Sequence, residues 1–144
     1  MFEVFSEKDI QEVTDANKLV VSYDDEPHGV NLDVLNDIFK LVNSFNDVKP
    51  RRDRIVKKAT HILAGISYNQ PFKEGNCRTS YYVLKSFLGR NLFTLRFYDS
   101  KQEDEFTDLL RRTAEEEFED DPTIYSEVEQ YLAQKIEPVN FDYL

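Results

Sequence analysis

Gln70-Pro71-Phe72-Lys73-Glu74-Gly75-Asn76-Cys77-Arg78-Thr79 is the stretch on which the fold turns. Pro71, Gly75 and Asn76 break regular structure here, between two segments that are apolar in most directions around a helical wheel. Upstream, a helix beginning after Pro50 carries Ala59, Ile62, Leu63, Ala64, Gly65 and Ile66 in its second half. Downstream, Tyr81, Tyr82, Val83, Leu84, Phe87 and Leu88 lead to Gly89. Both helices are therefore expected to be central and joined by a loop over about residues 67–75, with Leu63, Ile66, Phe72, Val83, Leu84 and Phe87 buried around it.

Two physical readings of the loop stand side by side. As a connector, Pro71 holds Gln70 extended, Phe72 packs into the core and Asn76 caps the next helix. As an anion cradle, Gly75 lets the backbone approach a ligand, and the free N–H groups at a helix start near Asn76, Cys77 and Arg78 favour a phosphate. Arg78 then adds a charge-assisted contact.

Further out, Ser6 with Glu7 and Asp9 reads as a helix N-cap with acids in the first turn, opening a helix to about Asn17. Leu19-Val20-Val21 reads as extended, and Asp24, Asp25, Pro27 and Gly29 predict a surface flap or hairpin near residues 19–30. From Asn31 to Phe45 the apolar residues fill one half of a helical wheel, as expected of an amphipathic surface helix. Beyond Gly89 an extended stretch from Leu92 to Tyr98 precedes an acidic helix near Ser100 to Phe118. Asp121-Pro122 has the chemistry of a last helix start, running to about Ile136. The expected fold is an all-α bundle of about six helices with a short β-hairpin flap, residues 1–144 forming one domain.

Composition narrows the function. The 144 residues carry 18 Lys plus Arg against 28 Asp plus Glu, a formal charge of −10, the wrong sign for direct nucleic-acid binding. The lone Cys77 forms no intrachain disulfide, so a cytoplasmic location is the simplest expectation. No apolar run suits a signal peptide or a membrane span. Two His and one Cys are too few for a structural zinc site, which leaves open a hard ion held by carboxylate and phosphate. The run from Lys49 to Lys58 holds six basic residues and reads either as a solvated helix start or as a surface for an acidic partner. The acids from Glu115 to Asp121 read as a solvated helix end. His61 reads as a packing or partly exposed histidine, and His28 as a flap residue, solvated or touching a target chain.

With these residues in view, the segment resembles the motif of the Fic/Doc family, which runs His-Pro-Phe, two residues of which the second is acidic, then Gly-Asn-Gly-Arg. The chain keeps Pro71, Phe72, Glu74, Gly75, Asn76 and Arg78. Its flanking helices are similar too, so the resemblance spans most of residues 6–118. It implies a nucleotide such as ATP bound by Phe72, Gly75, Asn76, Cys77 and Arg78, with Mg²⁺ held by Glu74. It also implies phosphoryl or nucleotidyl transfer to the hydroxyl of a protein substrate, which for Doc-like members is a translation elongation factor. An inhibitory helix of the family's pattern is not found, so any inhibition is expected from a separate antitoxin chain.

Three departures qualify that resemblance. Gln70 stands at the position of the family's catalytic His, and an amide has no pKa near neutrality with which to take a proton. Cys77 replaces the Gly of nucleotidyl-transferring members and the Lys of Doc-like ones. Tyr81 falls where nucleotidyl-transferring members carry a second Arg, a Doc-like trait. The expectation is a Doc-like toxin-type transferase, with Gln70 and Arg78 at the catalytic positions and activity impaired by Gln70. The alternative is a degenerate Fic/Doc-fold module that binds a nucleotide or protein without turnover.

Overall fold

The computed structural model describes residues 3–115 and 121–140. Helix α1, Glu7–Ser22, starts at a reciprocal cap: Ser6 Oγ accepts from the Asp9 N–H at 3.2 Å, and Asp9 Oδ2 accepts from the Ser6 N–H at 2.9 Å. It runs five residues past Asn17, the end expected from the sequence, and absorbs Leu19-Val20-Val21. Val21 is buried, so packing overrides the β-preference of the pair of valines. Helix α2, Leu32–Asn43, is capped by Asn31 and buries Leu35, Ile38, Phe39 and Val42. These recur at helical spacing and contribute about 1.5–3 kcal/mol each.

Helices α3, Arg51–Asn69, and α4, Asn76–Arg90, are the central pair. Ile55, Ala59, Ile62, Leu63 and Ile66 of α3 are all but inaccessible, because α2, α4, α5 (Ser100–Ala114) and α6 (Asp121–Lys135) surround it. Leu63, Ile66, Phe72, Val83, Leu84 and Phe87 are buried as the apolar wheels predict. Residues 67–69 prolong α3, so the loop spans residues 70–75.

The all-helical expectation holds, with one small antiparallel sheet. It lies elsewhere than expected: β1 (Phe93–Leu95) pairs with β2 (Ile136–Pro138), Thr94 opposite Glu137. Residues 23–30 form a turn and an extended arm, not a hairpin; the arm's one ladder contact is a bridge from Val30 to Phe72. With Pro27 removing a donor and no second strand beside it, this short piece pairs with the nearest exposed backbone, the motif loop. The end of the acidic helix at Phe118 and residues 116–120 of the acidic run lie outside the described residues.

Lys49 and Arg51 of the basic run are exposed, but the rest of it is not simply solvated. Lys58 is buried and donates to the Glu3 carbonyl at 2.7 Å and to Asn46 Oδ1, and burial pushes its ammonium below the usual lysine range. Arg52 donates to the Ala133 and Ile136 carbonyls at 2.6 and 2.9 Å, where α6 ends and has carbonyls to satisfy. Arg54 holds Glu3, and Lys57 holds Glu129. Charge that looked available to a partner therefore ties Glu3 and α6 to α3. Among the described residues no helix is long and apolar enough to cross a membrane.

Candidate functional site

The motif loop is shaped from within by Asn76. Its side chain is buried; Oδ1 accepts from the Phe72 N–H at 2.9 Å, and Nδ2 donates to the Phe72 carbonyl at 2.8 Å and to Gln70 Oε1 at 2.9 Å. Asn76 is thus a bracket across the loop, and what it can present to a ligand is its backbone N–H. Gln70 closes α3 in the left-handed region at φ 53°, a conformation costly for a side chain other than Gly. Its amide donates to the Ser67 carbonyl and accepts from Asn76. Gln70 therefore serves the loop's shape, and no group there can take a proton.

Gly75 precedes α4 at φ 76°, and a Cβ there would lie 3.1 Å from Val21 Cγ1. Both the backbone angle and the approach of α1 call for glycine. No side chain caps α4, and the first helical bond runs from Thr79 N–H to the Gly75 carbonyl at 2.9 Å. The N–H groups of Asn76, Cys77 and Arg78 precede that ladder, with no acid in the first turn, which is the electrostatics of an anion site. Phe72 is buried beneath as the anchor. The Cys77 thiol turns towards the Leu110 carbonyl of α5, 3.9 Å away, and burial raises it above the usual thiol range, so only its backbone faces the helix start.

Arg78, half-exposed, forms ion pairs with Asp24 and Glu26 of the arm. Two carboxylates thus sit on the guanidinium that a phosphate would use. The Glu74 carboxylate pairs with no cation among the described residues. No group of three His, Cys, Asp or Glu suited to a metal occurs among the described residues.

Beneath the loop lies Asn17, fully buried on α1 and read from the sequence only as a helix end. Its Nδ2 donates to the Glu74 carbonyl at 2.8 Å and to Thr79 Oγ1 at 3.1 Å, while its Oδ1 meets His28 Nδ1 at 2.9 Å. One side chain therefore joins α1, the loop, α4 and the arm. A signal was present: Asn17 lies four residues after Val13 and four before Val21, a polar residue on the buried stripe. The arm follows the motif in antiparallel order. Asn31 N–H donates to the Pro71 carbonyl at 2.7 Å and Lys73 N–H to the Gly29 carbonyl at 2.9 Å; His28 reaches Glu74 through Asn17, and Glu26 and Asp24 end on Arg78.

Outside the motif, His61 is sandwiched between Phe45 and Tyr125, each ring 4.6 Å away, the packing role expected of it. Tyr81 packs on Phe106 of α5 at 5.2 Å. A concavity of about 450 Å³ lies between α1 and α4 and is lined by Phe5, Ala16, Leu19, Tyr82 and Phe87; no motif residue borders it.

The family model of the Fic/DOC family matches residues 10–88, more than half of the 144-residue chain. That span runs from α1 through the arm and the motif into the last turn of α4. No curated protein and no solved structure matches the chain.

Proposed function

We propose, from the premise that the chain belongs to the Fic/DOC family, that it is a Doc-like transferase moving a phosphoryl or nucleotidyl group from a nucleotide to a protein hydroxyl. The observation that carries the reading is the uncapped start of α4 behind Gly75, with Arg78 at its first turn. Three converging backbone N–H groups and a guanidinium suit a polyphosphate better than any uncharged ligand. Glu74 is the residue that would hold Mg²⁺, which would neutralise phosphate charge when bound. A protein acceptor, and an antitoxin chain restraining the enzyme, belong to the same reading.

Gln70 sets the rate. A general base is worth about 10²- to 10⁴-fold, and the motif lacks one, so transfer by this chain is expected to be slow. A binding module without turnover is the second reading, favoured by the commitment of the Gln70 amide to the loop.

Calorimetry with ATP and Mg²⁺ tests the binding step. Binding is expected and is expected to weaken in Arg78→Ala; no binding at millimolar ATP removes the proposal. Labelled ATP with a cell lysate tests the chemistry. Gln70→His is expected to raise protein labelling by about 10²- to 10⁴-fold. Nucleotide binding without labelling in either form leaves the binding module.

A further inference from the structure

The chain has two histidines, and the fold takes one of them out of contention as a base. His61 is held between two rings on the far side of α3, and burial, with a smaller push from Lys57, lowers it to about 4. His28 is different. It is exposed, it sits on the arm that follows the motif, and its ring centroid lies 6.5 Å from that of Phe72, two residues from Gln70.

The hydrogen bonds also decide which ring nitrogen of His28 carries the proton. The Glu74 carbonyl can only accept, so the Asn17 amide must present Nδ2 to it and Oδ1 to the ring. Oδ1 in turn can only accept, so His28 Nδ1 donates. Nε2 of the neutral ring is left as a lone pair, with no hydrogen-bond partner among the described residues. A base whose tautomer is set by a third group, itself anchored to the motif loop, meets the orienting part of what nucleophile activation requires.

We propose that His28 is the base that replaces the missing motif histidine, with Asn17 as its positioning residue. The inference rests on the transferase reading above. In the step, Nε2 takes the proton of the acceptor hydroxyl as its oxygen bonds to a phosphorus of a nucleoside triphosphate. The P–O bond to the leaving group breaks, and its electron pair leaves with pyrophosphate in nucleotidyl transfer or with nucleoside diphosphate in phosphoryl transfer. The proton on Nε2 then passes to solvent. The slow transfer that Gln70 permits is thus carried by the arm.

The test uses the full chain, ATP labelled at the α or γ phosphorus, Mg²⁺ and a lysate as acceptor. His28→Ala is expected to lower protein labelling at least tenfold, with the Kd for ATP held within about threefold, and imidazole added to the buffer is expected to recover part of the loss. Gln70→His is expected to restore labelling to His28→Ala. Asn17→Ala is expected to lower the rate as well and to shift His28 from the Nδ1–H tautomer, read by long-range ¹⁵N NMR, which also reports on the unaltered chain should a variant fail to fold. An Nε2–H tautomer in the unaltered chain, or labelling indifferent to His28→Ala, overturns the inference and leaves the transferase reading standing. Nucleotide binding with no labelling overturns it in favour of the binding module. No nucleotide binding at all overturns the transferase reading and the inference together.

Discussion

At the scale of single residues, the site is defined by what each polar atom is already doing. Arg78 is engaged by Asp24 and Glu26, at separations of 54 and 52 residues along the chain. Exposed pairs of this kind contribute about 0.2–1 kcal/mol each and weaken with salt, so they are exchangeable for a phosphate. Asp24→Asn with Glu26→Gln is therefore expected to tighten ATP binding by about two- to tenfold, measured by calorimetry at low ionic strength. The unaltered chain should gain affinity on moderate salt addition relative to that variant. Asn76 is the opposite case, since all its bonds are internal. Asn76→Asp keeps the acceptor for the Phe72 N–H but loses the donor to the Phe72 carbonyl and to Gln70. A loss of about 1–3 kcal/mol is expected in denaturant unfolding.

At the scale of elements, helix packing sets the loop. Gly65 on α3 faces Ile38 of α2, and a Cβ there would lie 2.9 Å from Ile38 Cγ2. The two helices meet through that notch, and α3 carries the loop at its C-terminal end. Gly65→Ala is expected to cost about 1–3 kcal/mol despite the better helix propensity of Ala. In the same urea titration Gly65→Ala is expected to cost less in an Ile38→Ala background, where the Cγ2 methyl is absent. α3 and α4 are also joined just under the loop, where Ser67 Oγ and Ser80 Oγ lie 2.9 Å apart and Ser80 bonds the Cys77 carbonyl at 2.7 Å. This polar pair fixes the first turn of α4, from which the N–H groups of Asn76, Cys77 and Arg78 project.

At the scale of the whole molecule, Glu3 and helix α6 are both fastened to α3. Glu3 meets Arg54 and Lys58 near its start, and Ile124, Val128 and Leu132 of α6 are buried along it. His61 lies in that contact. Its ring stays neutral in the folded protein down to about pH 4, whereas an unfolded chain takes up the proton near pH 6.5. Because the unfolded state binds the extra proton, stability contributed by the neutral ring is present above pH 6.5 and is lost as pH falls towards 4. Discounted for the ring's partial exposure, the loss is about 1–3 kcal/mol. Urea midpoints at pH 7 and pH 4.5 should show it, with a smaller drop in His61→Phe, which keeps the ring stack.

The sequence by itself determined the six helices, the burial of the two that flank the motif, the Fic/DOC character of the loop and the lack of a base at position 70. These are properties of periodicity and of residue identity at short spacing, which a linear reading retains. Tertiary structure alone decided that Leu19-Val20-Val21 continue a helix, that the arm pairs with the loop, and that Arg52, Arg54, Lys57 and Lys58 of the basic run find partners within the chain. It also decided that Asn17 gathers the loop, that Asp24 and Glu26 occupy Arg78, and that His28 Nδ1 meets Asn17. Each of these depends on partners far apart in the chain, such as Asn17 with Glu74 and Thr79 at 57 and 62 residues. Local pattern records only that such residues are polar; which partner satisfies them follows from how α1, α3 and α4 pack.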